Sequence, residues 1–178
     1  MAPTPRADLS PAGWISSSGL PWRRLVTFGP AGFDGYARLR FVPDPAFDGQ
    51  CESDAVAAVP EDDLLRVLFE VLATRTSTPD DCFFCLWDGY GDAAGSPKVV
   101  VPHREYFLFS GTTADAGFWG TPGLAFVWPS DRAWCVAKDV DPHWAGIGAD
   151  AATLALLLAD PRLDIVAANP DREQPAYR

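Results

Sequence analysis

The run Cys82-Phe-Phe-Cys-Leu-Trp87 is apolar at every position. A strand at the rim of a sheet alternates between apolar and polar residues, whereas a run like this one reads as a strand buried on both faces. It is therefore expected to be a central strand, and the rest of the fold must be arranged around it. Strand-like segments lie on either side of it in the chain. Lys98–Val101 and Glu105–Ser110 are broken by Pro102, and Leu124–Trp128 and Arg132–Ala137 are joined by a Pro-Ser-Asp turn. None of the connections holds a helix of crossover length, so the sheet is expected to be mainly antiparallel. Tyr36–Val42 alternates, with Tyr36, Arg38 and Arg40 on one face and Ala37, Leu39 and Phe41 on the other. Arg24–Phe28 reads as a short strand that forms a hairpin or meander with it across the glycine turn Gly29–Gly35. Leu163–Ala167 is a candidate edge strand.

Two segments carry a helical signature. Pro60 and three acids open a stretch in which Leu64, Leu65, Leu68, Phe69, Val71 and Leu72 form one stripe, with Asp62, Asp63, Arg66 and Glu70 outside it. Asp150 is placed to cap a second helix, Ala151–Ala159, apolar almost all round, which Asp160-Pro161 stops. The expected fold is one α+β domain at 22–168, a mainly antiparallel sheet of about six strands with two principal helices. A loose, Pro- and Ser-rich segment at 1–21 and a polar tail at 169–178 flank it. A chain of 178 residues buries ~70 % of its unfolded surface, enough for a core without metal or disulfide staples.

Charge narrows the classes of partner. The net charge is −10. By thirds of the chain it is −1, −6 and −3, so no part is basic. Nucleic acid and anionic membrane are disfavoured as partners, since both are bound through Lys/Arg faces. Only Lys98 and Lys138 accompany the twelve arginines, a bias typical of high-GC bacterial genomes. The first twenty residues hold no apolar stretch of secretory length, and no window approaches a membrane span. The cysteines are Cys51, Cys82, Cys85 and Cys135, the last three in apolar runs. They read as reduced thiols in a cytoplasmic protein.

Three motifs invite a chemical reading. Cys82-x-x-Cys85 has knuckle spacing, but no second pair exists, and positions i and i+3 of a strand face opposite ways. Gly146-Ile-Gly148-Ala-Asp-Ala151 matches a phosphate-loop pattern ahead of a helix. Asp150 would set a negative charge beside the phosphate, so a glycine turn before a capped helix is the expectation. Asp139, Asp141 and His143 share one face if the segment is extended, and two carboxylates with an imidazole suit a divalent metal or acid–base chemistry. His103 reads as a turn residue. No nucleophile elbow, phosphate-binding P-loop or zinc-protease helix is present, and no cofactor is expected.

Aromatic density sets the chain apart. It holds seven Trp, four Tyr and eleven Phe. One cluster is Trp87-Asp88-Gly-Tyr90-Gly-Asp92. The other is Phe126-Val-Trp128-Pro-Ser-Asp-Arg132-Ala-Trp134-Cys-Val-Ala137. Trp, Tyr and Arg dominate binding hot spots. Core packing is one reading of these rings, and the first for Trp128 and Trp134; the other is a groove lined by Trp87, Tyr90, Trp128, Arg132 and Trp134, with Asp88 and Asp92 at its rim, which would receive a protein or peptide partner with a basic surface. The leading expectation is a non-enzymatic interaction domain. The alternative is a small metal-dependent or acid–base hydrolase centred on Asp139, Asp141 and His143.

The W-D-G-Y-G and W-P-x-D-R-A-W-C-V-A motifs, followed by a Gly-rich turn and a Leu/Ala helix, resemble a group of uncharacterised bacterial proteins over roughly residues 60–166. That resemblance implies no activity, cofactor or catalytic residue. More remotely, a helix entering a Trp- and Gly-bearing sheet is similar to the SUKH immunity-protein superfamily, which implies an α+β fold.

Overall fold

The computed structural model describes residues 3–90, 96–117 and 123–178. Its centre is a sheet of nine strands: β1 (Thr4–Pro5), β2 (Gly35–Arg40), β3 (Cys82–Trp87), β4 (Lys98–Val101), β5 (Arg104–Gly111), β6 (Leu124–Pro129), β7 (Trp134–Ala137), β8 (Trp144–Ala149) and β9 (Ile165–Ala168). The spatial order is β1-β5-β3-β6-β7-β8-β2-β9, and β4 shares the outer side of β5 with β1. Every pairing among the described residues is antiparallel. The α+β class and the antiparallel sheet are as expected, and β3 is a central strand between β5 and β6.

The helices are α1 (Gly13–Ser16), α2 (Trp22–Phe28), α3 (Glu61–Ala73), α4 (Thr113–Ala116) and α5 (Ala151–Ala159). They cover both faces of the sheet. On the first face, Leu64, Leu68, Phe69 and Leu72 of α3 and Leu154 and Leu157 of α5 pack on Leu39, Phe84, Val127, Trp134, Val136 and Ile147. On the second face, Ile15 of α1 and Leu25 and Val26 of α2 pack on Phe83, Cys85, Leu108, Phe126, Trp128 and Cys135. With a helix layer on each side, the middle strands bury both sets of side chains. For this reason β7 and β8 are buried along their whole length.

The expected count of about six strands and two principal helices is therefore too low. Three misreadings account for most of the difference. Arg24–Phe28 belongs to helix α2 rather than to a strand; Pro21 precedes its first turn and Gly29, at φ 77°, ends it. A short apolar run has no period that separates the two states. Gly146 and Gly148 lie within strand β8 instead of forming a turn. A Cβ on Gly146 would stand 2.0 Å from the Thr27 carbonyl oxygen, and one on Gly148 would stand 2.4 Å from the Phe33 ring. The glycines admit α2 and the Phe33 loop against the sheet; they do not cradle a phosphate. The segment expected to be loose up to Pro21 is built into the fold, since Thr4 and Pro5 pair with Ser110 and Phe109, and Ile15 is fully buried.

Other readings hold. Helix α3 buries its stripe at Leu64, Leu68, Phe69, Val71 and Leu72. The Asp150 carboxylate caps α5 by accepting from the Thr153 amide at 2.6 Å. No helix among the described residues is long and apolar enough to cross a membrane.

Candidate functional site

Strand β2 carries Arg38 and Arg40 on the second face of the sheet, where the Arg38 guanidinium lies 5.4 Å from the Trp144 ring. Arg38 is only 5 % exposed. A buried guanidinium must be paired, and Asp44, just after the strand, supplies the partner. Nη1–Oδ1 is 2.7 Å and Nη2–Oδ2 is 3.0 Å. Arg40 Nη1 reaches the same carboxylate at 3.1 Å, and its Nη2 binds Asp164 Oδ1 at 2.6 Å. His143 Nε2 lies 3.1 Å from Asp44 Oδ1. Burial alone would push Asp44 up; the bonds from Arg38 and His143, the Arg38 charge and the Arg40 bond outweigh it and hold the carboxyl well below the usual carboxylate range.

Beside this cluster opens a cleft of about 480 Å³. One wall is α2, with Trp22, Arg23, Val26 and Thr27. A second is the β7–β8 connection, with Asp139, Asp141, Pro142 and His143. The C-terminal segment Gln174–Arg178 and Glu52 close the rest. The Tyr177 hydroxyl donates to the Pro43 carbonyl, and its ring meets His143 edge-on at 4.8 Å.

Asp139, Asp141 and His143 all line this one cleft, but each has a different state. Asp139 is gripped by Arg104, with Nε–Oδ1 and Nη2–Oδ2 both at 3.2 Å. The Arg104 guanidinium lies 5.6 Å from the Trp22 ring and 5.4 Å from the Trp87 ring. His143 is buried and committed to Asp44. Asp141 is exposed. Among the described residues no three His, Cys, Asp or Glu side chains converge as metal ligands.

The expected aromatic groove does not form as one surface. Trp128 and Trp134 are 1 % and 0 % exposed and belong to the core. Trp128 packs on Phe83 and Trp14. Trp134 packs on Phe69 and donates Nε1–H to the Leu72 carbonyl at 3.0 Å. Both sit on strands whose two faces are covered. Arg132, at φ 55° in the β6–β7 turn, lies 4.9 Å over the Trp14 ring. Trp87 is half-buried beneath Arg104. Asp88 is paired with Lys98 Nζ at 2.8 Å, which also meets Glu105 at 3.0 Å. Asp92 and the side chain of Tyr90 lie outside the described residues.

The Cys82-x-x-Cys85 pair is divided between the two core layers. Burial first, then the charges of Asp81 and Asp131, pushes the Cys82 thiol up to about 12, and burial raises Cys85 and Cys135 as well. His103 lies in the exposed β4–β5 turn at φ 66°, with Trp22 edge-on at 5.2 Å.

Residues that sequence reasoning did not select complete the cleft and its support: Trp22, Glu52 and Tyr177 line it, while Arg104 and Asp44 hold the lining residues Asp139 and His143. The one available signal was the pair Arg38 and Arg40 on a strand face, which calls for a carboxylate nearby. No family model matches the chain, nor does any curated protein or solved structure.

Proposed function

We propose that this chain is a non-enzymatic binding domain. Its cleft between α2, the β7–β8 connection and the C-terminal segment receives a basic segment of a protein or peptide partner. One observation carries the reading: Asp141 and Glu52 face the cleft beside Trp22 and Tyr177, and neither carboxylate makes an ion pair among the described residues. Carboxylates next to aromatic rings suit a guanidinium or ammonium, which gains from both the charge and the ring faces. The site already holds such a geometry, with Arg104 between Trp22 and Trp87 and bonded to Asp139. Strong electrostatic contributions would make the binding sensitive to salt.

Calorimetric titration with short Arg/Lys-rich and Asp/Glu-rich peptides tests this. Basic peptides bind at low salt and lose affinity in D141N/E52Q. Failure of every basic peptide to bind overturns the reading.

The second reading, a small hydrolase at Asp139, Asp141 and His143, is favoured by their sharing one cleft and by the Asp44–His143 pair, which orients an imidazole. It predicts turnover of chromogenic esters or phosphoesters that H143Q abolishes. Its metal-dependent form also predicts a rise in melting temperature on adding a divalent cation.

A further inference from the structure

The cleft holds charges of both signs. Asp141 on the β7–β8 connection and Glu52 in the connection from β2 to α3 are joined there by Arg23 of α2 and Arg178 of the C-terminal segment, and all four residues are exposed. The chain has 24 acidic residues for 14 basic ones. Most basic side chains among the described residues therefore find a carboxylate, as Arg24, Arg40, Arg75, Arg162, Lys98 and Lys138 do. Arg23 and Arg178 make no ion pair among the described residues, although two unpaired carboxylates line the same cleft.

Each of the four charges belongs to a different wall. The Arg23 guanidinium lies 5.4 Å from the Trp22 ring. The Arg178 amide donates to the Gln50 carbonyl at 2.9 Å, and Tyr177 before it is tied to Pro43 and His143. Asp141 is followed by Pro142 and the buried His143. Cations and carboxylates are thus held around an open volume of about 480 Å³ instead of in contact. The other carboxylates of the site are committed, Asp139 to Arg104 and Asp44 to Arg38. A purely cationic ligand would satisfy Asp141 and Glu52 but would also face Arg23 and Arg178, and like charges brought together cost affinity.

We propose that the partner segment received by the cleft carries both signs: its basic side chains meet Asp141 and Glu52, and an acidic side chain beside them meets Arg23 and Arg178. This rests on the reading of the cleft as a binding site for a basic segment and narrows it to a mixed-charge one. A guanidinium takes a carboxylate through two parallel N–H···O bonds, so the two arginines select for shape as well as charge. A segment of mixed charge pairs all four walls at once, which a segment of one sign cannot do.

Calorimetric titration of the full chain with two peptides tests the proposal. One peptide carries two arginines for each aspartate; the other has asparagine in place of every aspartate. The net charge of −10 by itself favours the second peptide, which is the more cationic. The wild-type chain is nevertheless expected to bind the aspartate peptide about fivefold more tightly at low salt, the upper end for an exposed ion pair. R23Q/R178Q is expected to bind the two peptides alike, with its circular dichroism unchanged. Equal binding of the two by the wild-type chain, or tighter binding of the asparagine peptide, overturns the proposal and leaves a cleft for basic segments in place. So does a preference for aspartate that persists in R23Q/R178Q. Failure of both peptides to bind overturns the proposal together with the reading beneath it.

Discussion

Asp44 Oδ1 lies between Arg38 Nη1, at 2.7 Å, and His143 Nε2, at 3.1 Å, so one carboxylate joins strand β2 to the connection that opens β8. Arg38 is almost fully buried. Removing the carboxylate strands its charge, which costs about 3 kcal/mol. D44N is expected to lower the urea midpoint accordingly at neutral pH.

The same carboxylate sets an acid dependence. In the unfolded chain it takes up its proton at about 3.9, whereas in the fold it stays ionised to lower pH. Its contribution is complete above the unfolded value and is lost as pH falls toward the folded one. The urea midpoint of the wild-type chain should drop on acidification below about pH 4. D44N should show a shallower drop, the remainder coming from Asp115, Asp131 and Asp150, which the fold also holds low.

The two glycines of β8 should differ in cost. On Gly146 a methyl group meets the Thr27 carbonyl and the Phe28 Cα, both backbone, and α2 must lift. G146A is expected to destabilise by about 3 kcal/mol, the upper end for overpacking. On Gly148 it meets only the ring of Phe33, a half-buried side chain able to turn aside. G148A should cost about 1 kcal/mol. Denaturant unfolding of both variants measures the contrast; equal costs would show that α2 is not seated on β8 through Gly146.

Thiol titration should separate the cysteines. Cys51 is exposed and free, whereas Cys82, Cys85 and Cys135 are buried and free. Ellman's reagent is expected to label one thiol in the native chain and all four in denaturant. In C51S the native protein should not react.

Arg104 joins Trp22, Trp87 and Asp139. R104K keeps the charge but loses the planar fork and its stacking. It should cost about 1 kcal/mol, from the weakened cation–π contacts, and R104A should cost more. Both variants should raise acrylamide quenching of tryptophan fluorescence by uncovering Trp22 and Trp87. Unchanged quenching would mean that the guanidinium does not cover the rings.

Much of the first face could be read directly from residue order. The leucine stripe of α3, the double-sided run of β3, the Asp150 cap and the split of Cys82 from Cys85 each follow from a local period or a local bond, and local terms are written in neighbouring residues. The second face could not be read this way. Whether Trp22–Phe28 is helix or strand, and whether Gly146 and Gly148 turn the chain or make room within a strand, depends on two segments more than a hundred residues apart packing together. Trp128, on the second face, and Trp134, on the first, are in the core because helices cover both sides of their strands, and which helix arrives on which side is set by long-range packing. The cleft is likewise a product of long-range packing. His143 and Asp44 are 99 residues apart, and Tyr177 comes from a segment with no period of its own. A buried arginine states that it needs a carboxylate, but only the folded chain settles which aspartate is close enough to serve.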